Sequence, residues 1–169
     1  MNAHSDEAPQ IRRSLSIEQW HQLGLQGNVL PVTITLDGDS MRPLIRRRKD
    51  LVTILPMRGR IQVGDVVLFQ NHQGIYVVHR VWKIKENMIQ TLGDNCMKPD
   101  SWMPTTSVWG QVVCVERFGR SWRMDTEFAR VCGRIWMTLF PARVLYKRFR
   151  KLVGKCYRRV FPKDEVERR

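Results

Sequence analysis

The sequence predicts a compact, mainly β domain framed by helices, and three observations predict it. Short β-branched runs recur from residue 32 to about residue 118, glycine-containing turn clusters separate them, and the apolar period becomes helical on either side. The 169 residues suit a single domain, and 43% hydrophobic residues suffice to fill its core, which argues against a wholly disordered chain.

Residues 1–13 show no apolar period and are expected to be mobile. Ser16 then precedes Ile17-Glu18-Gln19-Trp20, and a serine followed three residues later by Gln is a capped helix start. A short helix is predicted over 16–24, ending at Gly24. Strands are predicted at VTITL (32–36), LVTIL (51–55), VVLF (66–69), IYVVHRVW (75–82), MIQTL (88–92) and VWGQVVCVERF (108–118). Turns fall at Asp37-Gly38, Gly59, Gly64-Asp65, Gln73-Gly74 and Gly93-Asp94-Asn95. Six strands at this spacing predict a mainly antiparallel sheet. After Asp125 a helical period places Phe128, Val131, Ile135 and Leu139 on one face until Pro141 interrupts it. A second helix sets Leu145, Phe149, Leu152, Cys156 and Val160 on one side, with Lys147, Lys151, Lys155 and Arg158 on another. That is a basic amphipathic helix. The predicted organisation is therefore 1–31, a mobile N-terminus with a short helix; 32–120, the β domain; and 121–169, a basic helical extension.

The 29 Lys and Arg against 16 Asp and Glu give a net charge of +13, which implies an anionic partner. Residues 128–161 hold ten basic residues and no acidic one, so the excess is concentrated in the extension. A basic helix of this kind suits an anionic membrane surface, each Lys or Arg near it contributing about 1 kcal/mol. Its alternative is a helix packed on the body with a solvated basic face. No nucleic-acid module is recognisable, so RNA or DNA is not the expected partner. No apolar stretch approaches the length of a spanning helix, and the polar start MNAHSDEAPQ is unlike a signal peptide. The expected location is cytoplasmic or peripheral to a membrane. Cys96, Cys114, Cys132 and Cys156 form no CxxC pair and lack clustered histidines, so neither metal, cofactor nor structural disulfide is expected.

The segment Leu36-Asp37-Gly38-Asp39-Ser40-Met41-Arg42-Pro43 places a serine in a tight turn after a strand. An isolated serine there does turn work. A histidine changes its meaning, because a serine hydroxyl becomes a nucleophile only when a base takes its proton. His79 is the one histidine inside a predicted strand, and Asp94 and Asp100, on turns just after a strand, are the nearest downstream aspartates able to orient its ring.

Together, Gly38-Asp39-Ser40-Met41-Arg42-Pro43, Val63-Gly64-Asp65-Val66-Val67-Leu68-Phe69, Val78-His79-Arg80-Val81 and Leu92-Gly93-Asp94-Asn95 follow the order and approximate spacing of the signal peptidase I family. The chain most resembles the endoplasmic-reticulum and archaeal branch, which pairs its serine with a histidine rather than a lysine. The resemblance covers about residues 33–117 and implies a signal-peptidase or LexA-like β fold and a serine endopeptidase acting through an acyl-enzyme. It casts Ser40 as nucleophile, His79 as general base, and Asp94 or Asp100 as orienting acid. It places substrate as an added strand beside the Leu36 edge or the Ile75–Val81 strand, near Met41 and Gly38. A small hydroxyl residue usually stands two positions before the nucleophile, where this chain has Gly38. That leaves the Ser40 N–H as the one assigned oxyanion donor.

Two alternatives remain. A LexA-like self-cleaving regulator shares the Ser-Met-x-Pro box but uses a lysine base, whereas the corresponding strand here carries His79. A non-catalytic module would use the β domain as scaffold and the basic helix as its working surface. A histidine base predicts activity lost below about pH 6–7.

Overall fold

The structure is a computed structural model that describes residues 16–160; on the last helix, the side chains of Lys151 and residues 154–160 lie outside that description. Residues 1–13, expected to be mobile, also fall outside it. Helix α1 spans Ile17–Leu25, one residue from its predicted bounds. The Ser16 hydroxyl accepts from the Gln19 N–H at 3.2 Å, and the Gln19 side chain accepts from the Ser16 N–H at 3.0 Å, a reciprocal capping box.

All six predicted strands form: β1 (Val32–Ile34), β2 (Leu51–Pro56), β3 (Val66–Gln70), β4 (Tyr76–Lys85), β5 (Met88–Leu92) and β7 (Val108–Arg117). Two shorter strands join them, β6 (Met103–Pro104) and β8 (Arg120–Arg123). At two and four residues these carry too little alternation to stand out in a sequence. Because β8 pairs with β7, the sheet continues past residue 120. The sheet order is β1-β2-β7-β3-β4-β5-β6, with every pair antiparallel.

Strand β3 is buried on both faces, which explains its unbroken apolar run. Val66 and Leu68 pack with Trp20, Met41, Ile45, Val78 and Val112, while Val67 and Phe69 pack with Val81, Ile89 and Met103. Side chains alternate along a strand, so each neighbouring pair is split between the two clusters. The same alternation sends His79 and Arg80 of β4 to opposite faces, with His79 opposite Val67 and Arg80 opposite Val66.

Helices α2 (Glu127–Thr138) and α3 (Phe140–Val160) close the structure. Contact between α2 and the body depends on Gly133. A Cβ there would collide with the Arg80 guanidinium, so a larger residue requires Arg80 or the helix to shift. Arg130 on the same helix donates to the buried Asp65 carboxylate at 2.7 Å. The extension is thus anchored to the β domain. Met137 is buried, but Phe128, Ile135, Leu145, Phe149 and Leu152 are all exposed. The basic residues Arg130 and Arg143 turn inward to the body, so the basic side of the extension is not wholly solvated. Among the described residues no helix is long and apolar enough to cross a membrane.

Candidate active site

His79 is buried, and its Nδ1 lies 2.7 Å from Asp100 Oδ2. Strand β5 holds that carboxylate in place. The Thr91 hydroxyl donates to the same Oδ2 at 2.6 Å, the Asp100 N–H donates to the Thr91 carbonyl at 2.9 Å, and the Gln90 amide donates to the Asp100 carbonyl at 3.0 Å. An acceptor so fixed orients the ring with Nε2 turned away from Asp100.

Of the two carboxylates singled out in the sequence, Asp94 sits elsewhere. Its oxygens accept from Arg80 Nε and Nη2 at 3.0 and 2.9 Å in a bidentate pair, and both residues are buried. The reason is register: Arg80 pairs with Leu92, two residues before Asp94, and points to the face opposite His79. Asp94 therefore neutralises a buried cation, and Asp100 alone stands behind His79.

The Ser40 turn is fastened to the Gly93–Cys96 turn. The Asn95 N–H donates to the Ser40 carbonyl at 2.6 Å, and the Asn95 side chain donates to the Asp39 carbonyl at 3.1 Å. Three groups converge on Gly93. The position a Cβ would take there is 2.6 Å from Cys96 Sγ, 2.9 Å from His79 Nε2 and 2.9 Å from the Ser40 carbonyl oxygen. Only glycine permits this approach. Among the described residues Ser40 Oγ and His79 share no hydrogen bond; the thiol of Cys96 lies on the Nε2 side instead. The Ser40 N–H also makes no hydrogen bond among the described residues, which suits an oxyanion donor.

Ser40 and His79 line one cleft of about 460 Å³, together with Ile34, Leu36, Gly38 and Ile75–Val78. Its walls are two strand edges. Among the described residues β1 pairs only with β2, and residues 76–79 of β4 pair only with β3, because β5 joins β4 from Arg80 onward. An extended peptide laid between them meets free backbone groups. Gly38 lines this cleft, whereas Met41 does not. Its side chain is only 1% exposed and packs in the core beneath the turn, so the expected contact with substrate is corrected.

Burial disfavours the charged form of His79, but the Asp100 carboxylate and the neighbouring Cys96 sulfur outweigh it and raise the imidazole to about 9. Against burial, the His79 ring and the Thr91 hydroxyl hold Asp100 below the usual carboxylate range. The folded chain thus binds the His79 proton more tightly than an unfolded histidine with a pKa near 6.5. The stabilisation is fully present below about pH 6.5 and is lost as pH rises through about 9. The unfolding free energy from urea titration is expected to decline across that window, by on the order of 3 kcal/mol in total. His79→Gln should flatten the decline; an unchanged slope would contradict the Asp100–His79 pairing.

Sequence reasoning overlooked Thr91 and Cys96. Cys96 follows directly on the Leu92-Gly93-Asp94-Asn95 box that had already been assigned to the site, so its position in the sequence was the available signal. Among the described residues no cluster of His, Cys, Asp and Glu is arranged to hold a metal ion. In comparisons with known proteins, no protein-family model, curated sequence or solved structure matches the chain.

Proposed function

We propose that the protein is a serine endopeptidase of signal-peptidase type, in which Ser40 is the nucleophile, His79 the general base and Asp100 the orienting acid. The observation that carries this reading is the Asp100–His79 pair at 2.7 Å, set at the end of a two-edged cleft that also holds Ser40. Ser40 Oγ attacks the scissile carbonyl carbon as its proton passes to His79 Nε2. The imidazolium then gives that proton to the departing amine nitrogen as the C–N bond breaks. Water releases the acyl group from Ser40, with His79 taking the water's proton and returning one to Oγ. The Ser40 N–H faces the developing oxyanion.

Only the neutral imidazole accepts a proton. The Asp100 carboxylate therefore moves the expected rise in activity from pH 6–7 to a midpoint near 9. The exposed apolar stripe of Phe128, Ile135, Leu145, Phe149 and Leu152, carried on a basic extension, supports attachment at an anionic membrane surface. Lys147 turns toward Asn95 rather than outward, and the side chains of Lys151, Lys155 and Arg158 lie outside the described set.

A second reading is favoured by Cys96, whose sulfur occupies the Nε2 side of His79: a cysteine hydrolase built on Cys96, His79 and Asp100. A fluorophosphonate probe followed by mass spectrometry separates the two. The serine reading predicts one adduct at Ser40, absent from His79→Gln. Failure to label Ser40, with iodoacetamide instead modifying Cys96 in a His79-dependent way, would transfer the nucleophile's role to the thiol.

A further inference from the structure

A second cavity adjoins the Ser40 turn on the side of α3. It has a volume of about 890 Å³, and Asp39, Arg42, Asn95, Trp136, Arg143 and Arg150 are among its walls. It shares no lining residue with the apolar cleft, yet Gly38 and Ser40 line one and Asp39 and Arg42 the other. A chain crossing Ser40 from one space enters the other.

The charges in this cavity are not balanced. The Asp94 carboxylate is taken up by Arg80, and Asp39 is 3.6 Å from Arg42. Arg143 is left without an acid. Its guanidinium lies 4.4 Å over the Trp136 ring, and Nη1 donates to the Asp94 backbone carbonyl, but Nε and Nη2 are buried with no hydrogen-bond partner. Burial disfavours its charge, the nearby Asp94 carboxylate favours it only in part, and Arg80, which already holds that carboxylate, disfavours it again. Lys147 and Arg150 line the same space, and Lys147 Nζ donates to the carbonyl and side-chain oxygens of Asn95. Burying a cation with two idle donors is costly, and a planar carboxylate answers a guanidinium in both charge and geometry.

We infer that this cavity is a substrate subsite for a carboxylate, so that the preferred peptide carries an apolar extended segment on one side of the scissile bond and an acidic group on the other. The inference rests on the peptidase reading and names its substrate class. The carboxylate is either an Asp or Glu side chain or a free C-terminus.

The test uses binding rather than turnover. A positional library of fluorescent decapeptides, made with free and with amidated C-termini, is titrated against the full Ser40→Ala chain. At one position Glu should bind at least tenfold more tightly than Gln, or the free acid more tightly than the amide, and which contrast appears identifies the source. The gain should vanish in Arg143→Gln and shrink in Arg150→Gln, an exposed position whose change leaves the core intact. Equal binding of acid and amide forms would overturn the inference, as would a gain that survives both substitutions. Phosphatidylglycerol vesicles binding in an Arg143-dependent manner, with no acidic preference among peptides, would assign the cavity to lipid and also overturn it. An acidic preference in peptides that the intact chain binds but never cleaves would leave the carboxylate subsite standing and sink the peptidase reading.

Discussion

Asp100→Asn is expected to lower kcat/KM for peptide cleavage by about 10⁴-fold, the loss typical when the acid that fixes a catalytic histidine's tautomer becomes an amide. The geometry leaves little compensation, because the Thr91 hydroxyl at 2.6 Å from the side chain and the backbone hydrogen bond from the Asp100 N–H to the Thr91 carbonyl at 2.9 Å would still hold residue 100 in place. The ring would then sit in place with its proton on the wrong nitrogen. Losing the carboxylate also removes the first-ranked influence that raises His79 against burial, so the residual activity should titrate at lower pH than in the parent chain. A merely structural Asp100 would lower the amount of folded protein without moving that midpoint.

Asp94→Asn should do the reverse. It leaves the buried Arg80 guanidinium, which also donates to the Gly64 carbonyl at 2.9 Å, without its counter-charge beneath Gly133. Breaking a buried pair from one side costs about 3–5 kcal/mol, enough to lower Tm by roughly 10 °C in a domain of this size. Replacing both partners, Arg80→Met with Asp94→Asn, should recover much of the loss because no unpaired charge remains. Calorimetry of the single and double variants checks this. A single variant as stable as the parent would show that the pair is not needed to seat α2.

The contrast between these carboxylates marks where the sequence stops being legible. Strand positions were readable because β-branched runs and glycine turns are local signals, and the Ser16 cap formed as its pattern requires. Which aspartate reaches the histidine depends on the pairing of Arg80 with Leu92, a contact between strands that no local pattern encodes. Met41 shows the same limit, since a residue beside the candidate nucleophile packs in the core with Ile45 and Val66, a long-range contact that no local pattern announces. The helical period of the extension was clear, but its orientation was not. Gly133, Arg130 and Arg143 seat the helices through close approach and charge, leaving exposed the apolar face that periodicity would place inward.

The proposed peptidase reading requires Ser40, and not Cys96, to perform the chemistry. Cleavage of a random peptide pool, followed by mass spectrometry for Ser40→Ala and Cys96→Ala chains side by side, tests it most directly. The expected result is no product above background with Ser40→Ala and retained cleavage with Cys96→Ala. Cleavage that survives the loss of Ser40 and disappears with Cys96 would contradict it.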